Sequence, residues 1–311
     1  MAHKAPGKHF REGMTLMEIV RMFPDAATAE KWFTDLRWPN GPHCPYCGHT
    51  DILCGANHKS MPYRCRSKEC GKRFSVRTKS ALECSNIPYD KWAIAYFLFA
   101  TNLKGVSSMK LHRDLGITQK SAWFMAHRIR ETWKNRKSPF GGPVEFDETY
   151  MGGKEKNKHG KKRLRENWTQ GKTTIMGAKD RATNAVSASV VDGADKETLH
   201  GFVKAHAEDG ATVYTDEAKA YEGLPNREAV KHSAGEYVKG QAHTNGIESF
   251  WSMLKRAHKG TFHKMSEKHM QRYVNEFAGR HNMRPHDTFD QMTLIATGMN
   301  GKRLTYLDLT A

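Results

Sequence analysis

Val144-Glu-Phe-Asp-Glu-Thr-Tyr150 alternates well enough to read as a β-strand, with Val144, Phe146 and Glu148 on one side and Glu145, Asp147 and Thr149 on the other. Asp147 stands mid-strand. Downstream, Thr173–Ala178 and Asn184–Val191 read as the next strands, Lys196–Ala207 as an amphipathic helix, and Ala211-Thr-Val-Tyr-Thr215 as a fourth strand running into Asp216. His243-Thr-Asn-Gly-Ile-Glu248 then leads a helix whose apolar face holds Ile247, Phe250, Trp251 and Leu254, while Glu248, Ser252 and Lys255 share the polar side. Each carboxylate also admits a plainer role. Asp216 could cap a helix at Glu217, Asn245 and Glu248 fit a capping box, and Asp147 could be an exposed strand residue.

Taken together, a β-β-β-α-β-α order with carboxylates on the first strand, after the fourth and on a later helix is the layout of a ribonuclease-H-like α/β catalytic domain. The spacing agrees, with 69 residues from Asp147 to Asp216 and 32 more to Glu248. Two magnesium (or manganese) ions roughly 3.5–4 Å apart can clamp the attacking and leaving oxygens of a phosphodiester, and such hard cations take carboxylate oxygens from separate elements. Asp147 is expected to bridge both ions, with Asp216 and Glu248 each completing one shell. His243 and Asn245 are weaker candidates for positioning DNA.

The first half carries a different metal pattern. Cys44-x2-Cys47 and Cys65-x4-Cys70, each followed by glycine (Gly48, Gly71), have zinc-ribbon spacing with 17 residues between the pairs. Each knuckle projects two thiolates from a tight turn, and the glycine permits the backbone conformation that aims amides at the sulfurs. Ordinary buried thiols, or replacement of one ligand by His43, His49 or His58, are the alternatives. Cys54 and Cys84 fit neither knuckle. One structural zinc would let the ribbon present Lys59, Arg64, Arg66, Lys68, Lys72 and Arg73 as a binding surface. Ile52–Leu53, Tyr63–Arg64 and Arg73–Arg77 read as its strands.

Around the ribbon the chain reads as helical. Thr15-Leu-Met-Glu18 is a capping-box pattern, and Ala27–Trp38 repeats apolar residues at Ala29, Trp32, Phe33 and Leu36. Asp90–Asn102 is an apolar helix, and Val106–Leu115, Gly116-Ile117 and Thr118–Lys134 read as helix, turn, helix. The last of these puts Ala122, Met125, Ala126 and Ile129 on one face, leaving Gln119, Lys120, Trp123, His127 and Arg130 as candidate DNA contacts. A hairpin that only packs is the alternative.

The fold class is therefore α+β and multidomain: N-terminal helices (11–40), zinc ribbon (41–83), helix-turn-helix (86–137), ribonuclease-H-like catalytic domain (138–297) and C-terminal tail (298–311). Lys134–Pro143, rich in charge and chain breakers, is the expected linker, and Lys154–Lys172, with eight Lys or Arg, an expected basic loop. Fifty Lys and Arg against 33 Asp and Glu leave a net charge of +17, which points to a polyanionic partner, nucleic acid first. The longest apolar run, Trp92–Ala100, has nine residues where a bilayer span needs about 20, and the start lacks an apolar signal core. A cytoplasmic protein without a membrane partner is expected.

Arg37-Trp-Pro-Asn-Gly-Pro-His-Cys-Pro-Tyr-Cys-Gly48, Arg73-Phe-Ser-Val-Arg-Thr78, Lys120-Ser-Ala-Trp-Phe-Met125 with Arg128-Ile-Arg130, and Glu145-Phe-Asp-Glu-Thr-Tyr-Met-Gly-Gly153 resemble bacterial insertion-sequence transposases. His243–Trp251, Lys259-Gly-Thr-Phe-His263 and Tyr273-Val-Asn-Glu-Phe277 are similar to the catalytic glutamate helix and following block of zinc-ribbon DDE transposases of the ISXO type, over about residues 11–297. Where such relatives often show Phe-Arg-Tyr-Asn, this chain has Ala278-Gly-Arg-His-Asn282. By this resemblance the acidic triad falls on Asp147, Asp216 and Glu248, and the ribbon ligands on Cys44, Cys47, Cys65 and Cys70. It implies hydrolysis of a phosphodiester at each transposon end, then attack of the freed 3′-hydroxyl on target DNA. The implied partners are double-stranded DNA, as terminal inverted repeats and target, and a second copy of the chain, since pairing two ends needs at least a dimer. A host nuclease of the same fold and a non-enzymatic DNA-binding regulator are the rival readings.

Overall fold

The computed structural model describes residues 3–4, 12–58, 60–134, 139–152, 171–229 and 243–311. Lys59, residues 135–138 of the expected linker and most of the expected basic loop, 153–170, lie outside the described residues. The protein is a mixed α/β chain that divides into two compact units, Met1–Thr132 with Arg284–Ala311, and Trp133–Met283.

The first unit opens with a two-stranded antiparallel pair, β1 (His3–Lys4) and β2 (Glu12–Gly13). Helix α1 (Leu16–Met22) starts on the capping box legible in Thr15 and Glu18, and α2 (Ala26–Arg37) on the Asp25 side chain, which accepts from Thr28 N. The strands β3 (Ile52–Cys54), β4 (Tyr63–Cys65) and β5 (Arg73–Phe74) form an antiparallel three-stranded sheet. Its apolar content is small: Tyr63 stacks on Phe74 at 5.5 Å, and Trp38 meets both rings edge-on. A module with so few core residues needs a staple. Helix α3 (Tyr89–Thr101) is buried on nearly every side, as its unbroken apolar run requires. Helix α4 (Ser108–Leu115) ends at Gly116 in the left-handed conformation (φ 58°), and α5 (Gln119–Arg130) begins at Thr118, whose side chain accepts from Ser121 N.

The second unit is built on a five-stranded sheet. In chain order it comprises β6 (Val144–Met151), β7 (Thr173–Asp180), β8 (Val186–Val191), helix α6 (Lys196–His206), β9 (Val213–Thr215), β10 (Arg227–Ala229), α7 (Asn245–Ala257) and α8 (Met270–Asn282). The spatial order is β10-β9-β6-β7-β8, with β10, β9 and β6 parallel and β6, β7 and β8 antiparallel. Period-two alternation sorts the side chains between two cores. Val144, Phe146, Met176 and Ala178 pack with Leu199, Phe202 and Val203 of α6. Met151, Ile175 and Val186 pack with Ile247, Phe250, Trp251 and Leu254 of α7 and with Val274 and Phe277 of α8. The sheet is thus the middle of three layers. Within α8, Gly279 leaves room for the Trp133 indole, and Asn282 pairs with both backbone groups of Val186.

The chain returns to the first unit with α9 (Thr288–Gly298) and α10 (Tyr306–Thr310). Helix α9 packs on α2 and α3. Ala81 N donates to Met299 O, Gly301 N to Lys79 O, and Lys302 Nζ to the carbonyls of Glu131 and Thr132, which end the α5 segment. Thr305 and Asp308 form a second capping box, and buried Leu309 anchors α10.

Candidate active site

Strand β6 is flanked by β7 along its full length, but β9 pairs with it only at Val144 and Glu145. Beyond Glu145 no strand among the described residues pairs with that edge, and carboxylates from both faces of β6 line one cleft beside it. Asp147 comes from the α7 face. Its Oδ2 accepts from Trp251 Nε1 at 2.9 Å, and the indole reaches it by crossing Gly177, the residue paired with Asp147 in the register. A Cβ on Gly177 would stand 2.6 Å from the Trp251 ring, so the glycine is what admits the indole. Glu148 comes from the α6 face, where Tyr221 Oη donates to its Oε2 at 2.8 Å.

Asp147, Glu148 and Glu248 line one open cleft of about 440 Å³. Lys255, Arg256 and Lys259, about two and three turns beyond Glu248, line it too, so the cleft carries both acidic and basic side chains. Asp216, half-buried at the end of β9, accepts from Ala218 N at 3.1 Å and its charge bears on Asp147 and Glu148. Burial, then the charges of Glu148, Asp216 and Glu248, push the Asp147 carboxyl up to about 8. Burial and Asp216 raise Glu148 as well, with the Tyr221 hydrogen bond opposing them. Burial and the Glu148 carboxylate raise the Tyr221 hydroxyl, keeping it a donor. The capping box available to Asn245 and Glu248 is not used: α7 is entered from Thr244, whose hydroxyl donates to Glu248 Oε1 at 2.9 Å. Asp147, Glu148 and Glu248 share one cleft, and carboxylate oxygens that are costly to ionise together are the donor type a divalent cation takes, although among the described residues only the four cysteines below lie close enough together to share a single ion.

In the first unit, the Sγ atoms of Cys44, Cys47, Cys65 and Cys70 all lie within 4.8 Å of one another. Cys44–Cys70 and Cys47–Cys65 are each 3.7 Å apart, close to the edge of about 3.8 Å of a sulfur tetrahedron with 2.3 Å metal bonds. Gly48 (φ 77°) and Gly71 (φ 55°) take the left-handed conformation that the knuckle turns require. Burial raises Cys65 to about 12, whereas at Cys44 burial is outweighed by the amides of Cys47 and Tyr46, leaving about 7. His43, His49 and His58 are not part of the grouping, and Cys54 and Cys84 are exposed outside it.

Comparison with known families bears on the second unit. Residues 139–282 match the ISXO2-like transposase domain. The chain is also 26% identical over 255 residues to an uncharacterized protein in transposable element ISH50 of Halobacterium salinarum, covering 77% of this chain and 85% of that protein. The kinship with insertion-sequence transposases read from the sequence therefore stands. The transposase domain contains the whole carboxylate cleft; the cysteine site lies outside it. Among the described residues no helix is long and apolar enough to cross a membrane.

Ahead of the transposase domain, α5 departs from its expected surface. Gln119 and Lys120 are exposed and Trp123 is half-buried, but His127 and Arg130 are 0% and 2% exposed. The C-terminal half of α5 is enclosed on all sides, with the Arg130 guanidinium 5.9 Å from the Phe99 ring of α3 and the His127 ring 4.7 Å from Trp123. His127 and Arg130 are therefore interior residues, not surface contacts. Tyr306 of α10 lies under Lys120 and against Phe124. Sequence alternation put Glu148 opposite Asp147 and so kept it out of the transposase-domain site; the early end of β9, which leaves β6 unpaired by it beyond Glu145, carries no local sequence signal.

Proposed function

We propose that the chain is a DDE transposase that binds the terminal inverted repeats of its element and carries out metal-dependent hydrolysis and strand transfer. The observation that carries this is the cleft beside β6 that Asp147, Glu148 and Glu248 line together with Lys255, Arg256 and Lys259. A ribonuclease-H-like arrangement of the five strands accounts for carboxylates arriving from β6, the end of β9 and α7. Bound there, two magnesium or manganese ions would supply an activated nucleophile and stabilise the leaving oxygen. Asp147, Asp216 and Glu248 would hold them, with Glu148 as a fourth carboxylate; Trp251 and Tyr221 orient Asp147 and Glu148 through one hydrogen bond each. Lys255, Arg256 and Lys259 would take the phosphates on either side of the scissile bond.

DNA recognition would fall to the first unit. Zinc suits the four thiolates, because a closed tetrahedral sulfur site holds a small sheet rigid without reacting. Arg64, Arg66, Lys68, Lys72 and Arg73 are exposed on it, and Lys72 and Lys79 lie over the Tyr46 ring. Helices α4 and α5 would act as a helix-turn-helix through Gln119, Lys120 and Trp123. Pairing two ends calls for at least a dimer.

The test is incubation of the purified protein with an oligonucleotide duplex carrying its element's end, plus a target plasmid, in magnesium or manganese. Cleavage and joining are expected, lost in Asp147→Asn, Asp216→Asn and Glu248→Gln with DNA binding retained. Full activity in Asp216→Asn or Glu248→Gln overturns the triad. Cleavage without joining would assign a nuclease, and binding with neither a regulator.

A further inference from the structure

We propose that Glu145 is a positioning residue for the metal site: it caps α7 from the neighbouring strand and thereby sets where Glu248 stands relative to Asp147. The inference rests on the metal-dependent reading above. Helix α7 lacks a local cap, since the Thr244 side chain makes no capping bond and donates instead to Glu248. The first-turn amides therefore need another acceptor. Glu145 Oε2 supplies it, accepting from Ile247 N at 2.9 Å across 102 residues of chain. Ile247 is the residue before Glu248, and Glu145 lies two residues before Asp147 on the same face of β6. One short link thus ties the element of the first metal carboxylate to the element of the third.

The link is held from behind. Glu145 is only 2% exposed, and its Oε1 accepts from Arg181 Nε at 2.8 Å. Arg181 also donates to His243 O through Nη2 and stacks on the Tyr214 ring at 4.0 Å. Lys179 Nζ donates to Gly246 O at 3.3 Å, and His243 Nδ1 lies 3.3 Å from Glu145 Oε1. A Cβ on Gly246 would stand 2.7 Å from Glu145 Oε2 and 3.1 Å from the Lys179 side chain, so the glycine in His243-Thr-Asn-Gly-Ile-Glu248 is the clearance through which the cap reaches the helix. The buried carboxylate is matched by the guanidinium and by the positive end of the helix, so it is a fixed strut with no part in holding the cation.

The experiment is a manganese titration of the full zinc-loaded chain, read by the electron paramagnetic resonance of free Mn2+, with thermal unfolding in parallel. Residues that orient metal ligands typically change metal affinity about 10- to 100-fold. Glu145→Gln, which keeps an acceptor but not the charge, is expected to weaken Mn2+ binding about tenfold or more without lowering the unfolding temperature correspondingly. Gly246→Ala, which leaves the buried charges paired but pushes the helix off its strut, is expected to do the same, and it decides the matter if Glu145→Gln does not fold. Wild-type affinity in the folded variants overturns the proposal. Glu248→Gln separates the two readings: if it loses Mn2+ while the Glu145 and Gly246 variants do not, the metal site stands and the strut falls; if it too binds as wild type, both fall.

Discussion

Replacing Asp147 by Asn should make the metal-free protein more stable at alkaline pH while removing its ability to hold the catalytic cation. The wild-type carboxyl has a folded-state pKa of about 8 against 3.8 for the ordinary group, because burial and the carboxylates of Glu148, Asp216 and Glu248 oppose its ionisation. Below 3.8 it is protonated whether the chain is folded or not, and contributes nothing. Between 3.8 and about 8 folding takes up a proton, so stability falls as pH rises, and above about 8 the full cost remains. At about 1.4 kcal/mol for each tenfold change in proton affinity, that cost is about 6 kcal/mol. Asparagine is neutral throughout and can still accept from the Trp251 indole. Calorimetric unfolding of the zinc-loaded chain in magnesium-free buffer from pH 4.5 to 9 should show the two proteins converging near the acid end and separating through pH 8, with added Mn2+ restoring the wild type alone. Parallel pH profiles would refute the reasoning, since they would mean that Asp147 ionises like a surface carboxylate.

Glu148→Gln should weaken Mn2+ binding severalfold in a titration of the full chain; unchanged affinity would leave Glu148 a structural partner of Tyr221 only. Replacing Cys65 by Ser should lower bound zinc, measured by elemental analysis, from one atom per chain to well below it and cost at least tenfold in DNA affinity, while Mn2+ binding persists. Gly279→Ala should lower stability by about 1–3 kcal/mol, seen as an earlier urea midpoint, because its methyl would overlap the Trp133 ring. Lys120→Ala should weaken DNA binding severalfold with no change in unfolding temperature, whereas Arg130→Ala should lower the unfolding temperature, its guanidinium being interior; equal DNA affinity in Lys120→Ala would remove the α5 N-terminus from the interface.

The elements that sequence reveals well here are those with local causes. The capping box of Thr15 and Glu18, the glycine stop at Gly116, the alternation of β6 and the apolar face of α7 all appear where their residue patterns put them. The four cysteines converge because their spacing already encodes two turns of the right kind. What sequence conceals is set by distant neighbours. Strand β10, three residues long, has no pattern of its own and exists because β9 offers it an edge. His127 and Arg130 sit at helical positions that look polar and outward, but α5 is covered on more than one side, so its amphipathic stripe does not identify its exposed face. Glu145 reads as an ordinary polar strand residue; only the arrival of α7, a hundred residues later in the chain, gives it a partner.

The return of residues 284–311 to the first unit has a bearing on how the protein is made. The unit that begins the chain is the last to be completed on the ribosome, because α9 and the Met299–Lys302 contacts that close it emerge only after the whole transposase domain has been synthesised. A prematurely terminated chain would release a sheet with its carboxylates intact, attached to an unfinished first unit.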